Sequence, residues 1–583
     1  MAGAEATAGR NLCLDALAIA VDTTVDEGGL WYTSLENLRI VCLDLCVACR
    51  APKNISVWIV NVTADTPNPL WVRGEQEKPG TNRLGVPRVP PLPVHAVRLV
   101  KKLPPYALAY LSGSDQLGAG KEGGRAMGRR RAPLWWSESV RQLTFGIEFD
   151  NPIGCFPWPA SLQQVSFGDN FDQPIVGVVW PPSLQQLSFG EWFDQPMEGV
   201  LLPVSLQELS FGGCFNRPIA RVVWPGSLQH IAFGRNFNQP IDKVVWPASL
   251  QQLSLGNRFN QPNQLGGAFD QPVNEVAWPA SLQRLCFSHS FNQHIDRVAW
   301  PASLQHVSFG WLFNRAIEEV VWPASTQRIS FEMNFNQPIV GVVWPASLQE
   351  VTFVGCFNQP IVGVVWPASL QEVTFVGGFN QPIVGIVWPG SLKFVSFGYM
   401  YNQPIVGVAW PASLHKLSFG KSFNQTIAGV SWPTSLQQLS FGKDFNQPIV
   451  GVIWPVSLQR ISFGKLFNQP IVEVVWPTSL QQLSFGYTWD EMSEPVDRRT
   501  GFDKLFNHPI VGVVWPASLQ ELVFGDGFNQ PIDEIVWPAS LRRLSFGHYF
   551  SQPIDEGALP ASLQLLMVWR TCRFQKDAES WYR

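Results

Sequence analysis

A 22-residue period governs this chain. Trp136, Trp158, Trp180, Leu202, Trp224 and Trp246 stand 22 apart; the register resumes at Trp278, runs unbroken to Trp476, and returns at Trp515, Trp537 and Leu559. Nineteen units result, interrupted by two insertions. A fixed period of about 20–50 residues belongs to solenoids and arrays. Stacked units form one quasi-one-dimensional body. Length, which at 583 residues would otherwise suggest about three or four domains, therefore does not set the domain count. The functional question moves from an active site to a surface.

Leu162–Ser183 serves as the type unit, with Leu162 as column one. Leu162, Val165 and Phe167 are apolar, and Gln163, Gln164 and Ser166 are polar between them. Gly168 follows, then two variable residues, then Phe171-Asp172-Gln173-Pro174-Ile175 and a return leg through Val178-Val179-Trp180-Pro181. Two prolines per unit exclude a long helix and press their preceding residues toward extended geometry. The expected fold class is a β-rich solenoid of nineteen 22-residue coils with one parallel sheet and few or no long helices. Eighteen spacings of ~4.8 Å would make that sheet on the order of 86 Å long. A lone unit buries too little apolar surface to offset the ordering of its backbone, and stacking supplies the rest.

Column habits assign roles. Column one is Leu in seventeen of nineteen units, column six is Phe except at Leu255 and Val568, and column nineteen is Trp except at Leu202 and Leu559. A Trp that exchanges with Leu fills an apolar slot, so Trp158, Trp180 and Trp366 are placed in the core with Phe167. Column eleven is mostly Asn, as at Asn238, but Asp at 150, 172, 194 and 270 and Ser at 551. The shared feature is a short side-chain oxygen, which suits an Asx-type turn. Column twenty-two is Ser in every unit, from Ser161 onward. Nineteen identical serines are not nineteen nucleophiles; they are assigned to hydrogen bonding where each strand begins.

The strand pattern has the L-x-x-L-x-L spacing of leucine-rich repeats. Phe237-Asn238-Gln239-Pro240-Ile241 and Leu202-Pro203-Val204-Ser205-Leu206 closely resemble the FNIP repeat, a 22-residue member of that superfamily. The resemblance covers about residues 136–569. Trp for Leu before the first Pro is a departure that implies a fatter core on the same topology. The resemblance implies no catalytic residues and a role in protein–protein interaction, sometimes behind an F-box.

The flanks divide the chain further. Residues 1–95 lack the repeat and are assigned to a small N-terminal region or cap; 96–133 to a basic, Gly-rich linker ending Arg129-Arg130-Arg131; 134–569 to the solenoid; and 570–583 to a tail that caps the last coil. One insertion, near 257–266, partly duplicates Phe-Asn-Gln-Pro and is read as an outward loop. The other, near 487–503, is charged and is read as a surface loop. Cys42, Cys46 and Cys49 have no matching second pair, so no zinc site is expected.

Net charge −4 and a pI near 6.1 do not point to nucleic acid or an acidic membrane. No apolar run approaches the roughly 20 residues of a membrane span, and the N-terminus lacks a basic region followed by an apolar stretch. Cys155, Cys214, Cys286 and Cys356 fall in columns sixteen, nine, five and nine of units far apart in the sequence, with no shared disulfide pattern, which fits a reduced, intracellular chain. A cytoplasmic address is expected, with a nuclear one as the alternative raised by the arginines. The eight His are scattered, and none sits at a metal or triad spacing. No enzyme, cofactor or metal is expected, and the oligomeric state stays open.

Exposure is expected at columns three, eight and nine, which vary while the core columns hold. Lys421, Lys443 and Lys465 occupy column eight of successive units, and Lys504 follows the second insertion. Like charges stacked in neighbouring strands repel, so the row suits an anionic partner. Trp192, Trp311 and Tyr399 join it as candidate contact residues. Glu350 and Glu372 form a smaller acidic pair. The reading is a non-catalytic scaffold that binds a protein partner along the sheet face. The alternatives are a ubiquitin-ligase recognition subunit with a degenerate F-box-like N-terminus and a structural repeat protein without a specific ligand.

Overall fold

Each unit folds as one short strand and three turns. The strand covers columns three to five or six, for example Gln164–Ser166. Then come three i→i+3 turns, closed in the type unit by Phe171 N–H to Gly168 O at 3.2 Å, Val178 N–H to Ile175 O at 3.2 Å, and, into the next strand, Leu184 N–H to Pro181 O at 3.1 Å. Gly177, in the second turn, has φ +81°, which favours glycine. No helix element occurs among the described residues.

The computed structural model describes residues 140–154, 156, 158–256, 267–486, 505–555, 557 and 559–568, with the backbone of the strands Val60–Thr63, Ala96–Leu99, Cys572–Lys576 and Trp581–Tyr582. Trp136, Lys504, Cys42, Cys46, Cys49, Cys155, Arg129–Arg131 and both insertions lie outside the described residues.

The chain forms two compact units, Met1–Gln271 and Pro272–Arg583. In the first, six repeat strands from Gln142–Phe145 to Gln252–Leu255 pair in parallel, column against column. In the second, thirteen strands from Arg284–Cys286 to Leu565–Val568 do the same. The nineteen repeats thus supply nineteen strands. The first ladder begins earlier than residue 134. Ala96–Leu99, placed by its sequence at the head of the linker, pairs in parallel with Gln142–Phe145, and Val60–Thr63 pairs antiparallel with it. The second ladder ends in two antiparallel strands inside the assigned tail, Cys572–Lys576 on Leu565–Val568 and then Trp581–Tyr582 on Cys572–Lys576.

The core is a set of stacked columns. Leu162, Val165, Phe167, Phe171, Ile175, Val178 and Trp180 are all buried. Phe rings stack within and between coils: Phe189 lies 4.0 Å from Phe193 and 5.8 Å from Phe211. Trp rings stack likewise, as at Trp366–Trp388, 6.5 Å apart. Sixteen column-nineteen indoles have Nε1 buried without a hydrogen-bond partner. The slot is therefore apolar, which explains why Leu202 and Leu559 substitute for Trp. Column seven brings backbones together. A Cβ on Gly442 would collide with the Gly420 carbonyl of the coil before.

The column-eleven oxygen does not make the expected Asx turn. It accepts from the backbone N–H of the same column one coil on: Asn402 N–H to Asn380 Oδ1 at 2.9 Å, Asn424 N–H to Asn402 Oδ1 at 2.9 Å. Gln403 Nε2 donates to the same Asn380 oxygen at 3.2 Å. Asp fits because only the acceptor is used, as in Asp194 N–H to Asp172 Oδ1 at 2.9 Å. The column-twenty-two hydroxyls also act between coils: Ser161 Oγ donates to Val140 O at 2.7 Å, and Ser183 Oγ to Leu162 O at 2.7 Å. Asn238 joins the same ladder as both donor and acceptor. In the duplicated segment it is the second copy that stacks: Phe269 lies 6.1 Å from Phe237, and Asp270 N–H bonds Asn238 Oδ1 at 3.0 Å.

Two outcomes test this packing. Trp366→Ala should cost about 3–5 kcal/mol, and Trp366→Phe distinctly less because the unpartnered N–H goes with it. Urea denaturation of both variants measures the difference, and a near-zero cost for Ala would put the column outside the core. Asn380→Ala should cost about 1–3 kcal/mol by stranding the Asn402 N–H, whereas Asn380→Asp, which keeps the acceptor, should lie close to wild type by the same measurement.

Candidate interaction surface

In each strand, columns four and six point into the core and columns three and five point out. Parallel register then lines up column three across coils. In the second unit it reads Arg284, His306, Arg328, Glu350, Glu372, Phe394, Lys416, Gln438, Arg460. Arg328 Nε lies 3.1 Å from Glu350, and Lys416 Nζ sits 4.8 Å from the centroid of the Phe394 ring. Columns eight and nine lie in the turn after the strand. Their backbone continues the ladder: Ser422 N–H to Tyr399 O at 2.9 Å, Asp444 N–H to Lys421 O at 2.8 Å, and Leu466 N–H to Lys443 O at 2.8 Å. Tyr399, Lys421, Lys443 and Lys465 therefore occupy one row over four consecutive coils.

The candidate residues do not all gather there. Tyr399 is 59% exposed beside the lysines, with Met400 at 57%. Lys421 is exposed, while Lys443 and Lys465 are half-buried. Trp192 is equally exposed but belongs to the first unit. Trp311, four coils before Tyr399, is half-buried with its ring 4.8 Å from His289.

A reading by columns overlooks a concentration by coils. From Lys393 to Glu473 the chain carries Lys393, Lys416, Lys421, Lys443, Arg460 and Lys465, with Asp444 the single acid before Glu473. All six cations stand in columns two, three or eight, on the strand and the turn that follows it. A cleft of about 380 Å³ further along the same face is lined in part by Arg460, Gln482, Glu521 and Arg543. Counting charge per unit rather than per column would have found this segment in the sequence. The acid pair lies just before it, with Glu350 and Glu372 directly opposed in the ladder. Burial first, and then Glu350, pushes the Glu372 carboxyl up, while Thr374 Oγ1 at 3.4 Å and nearby cations pull it down.

Exposure also appears where it was not expected. Column eighteen, on the return leg between two core columns, points outward: Val179 is 81% exposed, Val365 81% and Ile453 86%. Where this residue is Ala, at 277, 299 and 409, the neighbouring Trp278, Trp300 and Trp410 become half-buried, so the larger side chain shields the indole. Among the described residues no group of three His, Cys, Asp or Glu could hold a metal, and no helix is long and apolar enough to cross a membrane. Cys214, Cys286 and Cys356 are free thiols.

Stacked parallel strands on a 22-residue repeat, with an L-x-x-L-x-L core, define a leucine-rich-repeat solenoid. The profile of the FNIP Repeat matches seven segments, residues 152–191, 193–236, 237–267, 357–400, 401–444, 445–488 and 506–549. The chain belongs to the FNIP repeat family. Among solved structures it is similar to CroV588, described as a novel circular LRR protein, with 42% identity and a TM-score of 0.62; the match covers 74% of this chain and spans 63% of that one. An internalin (inlF) from Listeria monocytogenes matches at 12% identity and a TM-score of 0.34, over 49% of this chain and 82% of that one. The Toll–Spatzle complex of Drosophila matches at 11% and 0.31, over 70% and 47%. No curated protein sequence matches the chain.

The Glu372 carboxyl gives a pH test. Its pKa is raised above the ordinary 4.5, so the folded chain holds the proton more tightly than the unfolded one. The stability tied to this group is fully present below the unfolded value and is lost as pH rises through the folded one. Glu372→Gln should therefore raise the thermal midpoint at neutral pH. That gain should vanish near about pH 4, as read by thermal unfolding of both proteins across the range.

Proposed function

We propose that this protein is a non-catalytic interaction scaffold that binds an acidic protein partner along the strand face of coils Lys393–Lys465. Solenoids of this class are typical of interaction scaffolds, and their extended surfaces suit long contacts. The observation that carries the reading is the segregation of charge. Six cations and one acid fall in the coils from Lys393 to Lys465, in a chain of net charge −4. The cations share one side of the coil, and the three column-eight lysines recur in successive coils at the strand repeat of ~4.8 Å. Lys421 and Lys443, like charges in adjacent coils, repel, and an acidic segment laid across the coils would offset that repulsion. Tyr399 and Met400 offer apolar contact at the end of the row, in keeping with the aromatic and Met enrichment of interface cores.

The test is the triple variant Lys421→Gln, Lys443→Gln, Lys465→Gln. A polyglutamate peptide as probe should bind the wild-type chain with an affinity that falls as salt rises. The variant should lose that binding while keeping its thermal midpoint. Binding that survives in the variant would show that the row does not carry it. Tighter binding of duplex DNA than of polyglutamate would show a generic polyanion surface instead of a protein site.

A further inference from the structure

The same coils present an opposite side of different chemistry. Between Pro338 and Val456, columns thirteen to twenty-one of six successive coils hold no charged residue. Column eighteen stands out from that side: Val343 is 75% exposed, Val365 81%, Val387 83% and Ile453 86%. Column fifteen runs beside it with Val340, Val362 and Val384 at 44–46%. The row continues past both ends at Val321 and Val475, each 81% exposed.

Shielding of the indoles accounts for a β-branched shape here but not for its polarity. Thr has nearly the shape of Val and keeps a hydroxyl for water, yet no unit has Thr in column eighteen; Ala409 and Ser431 are the two small residues that interrupt the branched row within these coils. In these six coils the four exposed column-eighteen side chains, at about 80–120 Å² apiece, and the five column-fifteen valines, at about 50 Å² apiece, amount to roughly 550–750 Å². That lies at the top of the ~300–600 Å² of the largest apolar patch on an ordinary monomer, or above it. It approaches the ~800 Å² per partner of a standard interface.

We propose that this charge-free stripe is a homodimer interface, covered in solution by the same stripe of a second copy of the chain. Two observations select that occupant. An isologous contact buries the same residues on both sides, and a face without charge can meet itself without desolvating or opposing like charges, which the basic face cannot do. The stripe is also periodic: Trp rings beneath it repeat at 5.8 Å from Trp344 to Trp366 and at 6.5 Å from Trp366 to Trp388. A second copy has the same repeat, so its side chains stay in step over many coils, knob against gap. Ahead of the stripe, where Ala299 replaces Val, such a gap forms a groove of about 430 Å³ between Trp300 and Trp322; within the stripe Ala409 and Ser431 are the small residues of the same column. The inference does not depend on the basic face.

Sedimentation velocity of the full chain through the micromolar range tests it. The wild type should sediment as a dimer, at twice 65.1 kDa. The triple variant Val343→Asp, Val365→Asp, Val387→Asp should sediment as a monomer that keeps the wild-type circular dichroism spectrum, since all three side chains are exposed; its midpoint should fall with the loss of the partner. Val365→Lys alone, as a milder second variant, should raise the dimer dissociation constant at least about tenfold. The lysine-to-glutamine variant of the basic face should remain dimeric. A wild-type chain that stays monomeric overturns the proposal, whether or not another protein occupies the stripe. So does a dimer that persists unweakened in either folded variant.

Discussion

The hydrogen bond that each coil's column-eleven oxygen accepts from the next coil's backbone N–H is the constraint on which the rest of this structure depends. The strand side of each coil has a backbone ladder to hold its neighbour; the return leg, broken by two prolines per unit, has three turns. Asn380 and its equivalents replace the missing ladder with side chains, and the Gln of the next coil, Gln403 for Asn380, adds a second donor to the same oxygen. Ser183 and its equivalents do the same where the next strand begins. With coils tied at these points, the Phe and Trp columns are held in stacking contact, and burial that no single unit could achieve becomes cooperative along the stack.

That constraint forces like onto like. A repeat of constant length places each residue over its counterpart 22 positions away, so chemistry sorts into columns. Apolar columns gain from this by stacking. Charged columns lose, unless signs alternate, as at Arg328 and Glu350, or an aromatic intervenes, as at Phe394 and Lys416. Lys421 and Lys443, neighbours in column eight, have neither device between them, and that stretch of surface stands apart from the rest of the strand face.

The periodic columns were legible in the sequence because repetition reports burial directly: a position that stays Leu, Phe or Trp in nearly every unit can hardly face water. What the sequence left open follows from its own regularity. A side-chain oxygen that bonds two residues ahead and one that bonds 22 ahead demand the same residue types, so Asn238 and Asp172 could not reveal their partners. Val178-Val179-Trp180 reads as one continuous apolar run, and nothing in it marks the middle residue as the outward one. Ala96–Leu99 carries neither the Phe nor the Trp by which the units were counted, so its place in the ladder is visible only in the pairing.

Column eighteen shows why periodicity alone misjudges exposure. Its residues are as apolar as those of the core and lie between two core columns, yet the extended return leg turns them outward. The buried indole beside each one makes no hydrogen bond through Nε1, so water gains nothing by reaching it, and a branched side chain above the ring keeps that edge dry. Ala at 277, 299 and 409 gives up part of this cover, and the underlying Trp is correspondingly more exposed. The stripe is therefore both a lid on the core and a surface in its own right. Its first role requires only shape; the persistence of hydrocarbon where a hydroxyl of the same shape would serve separates the second role from the first.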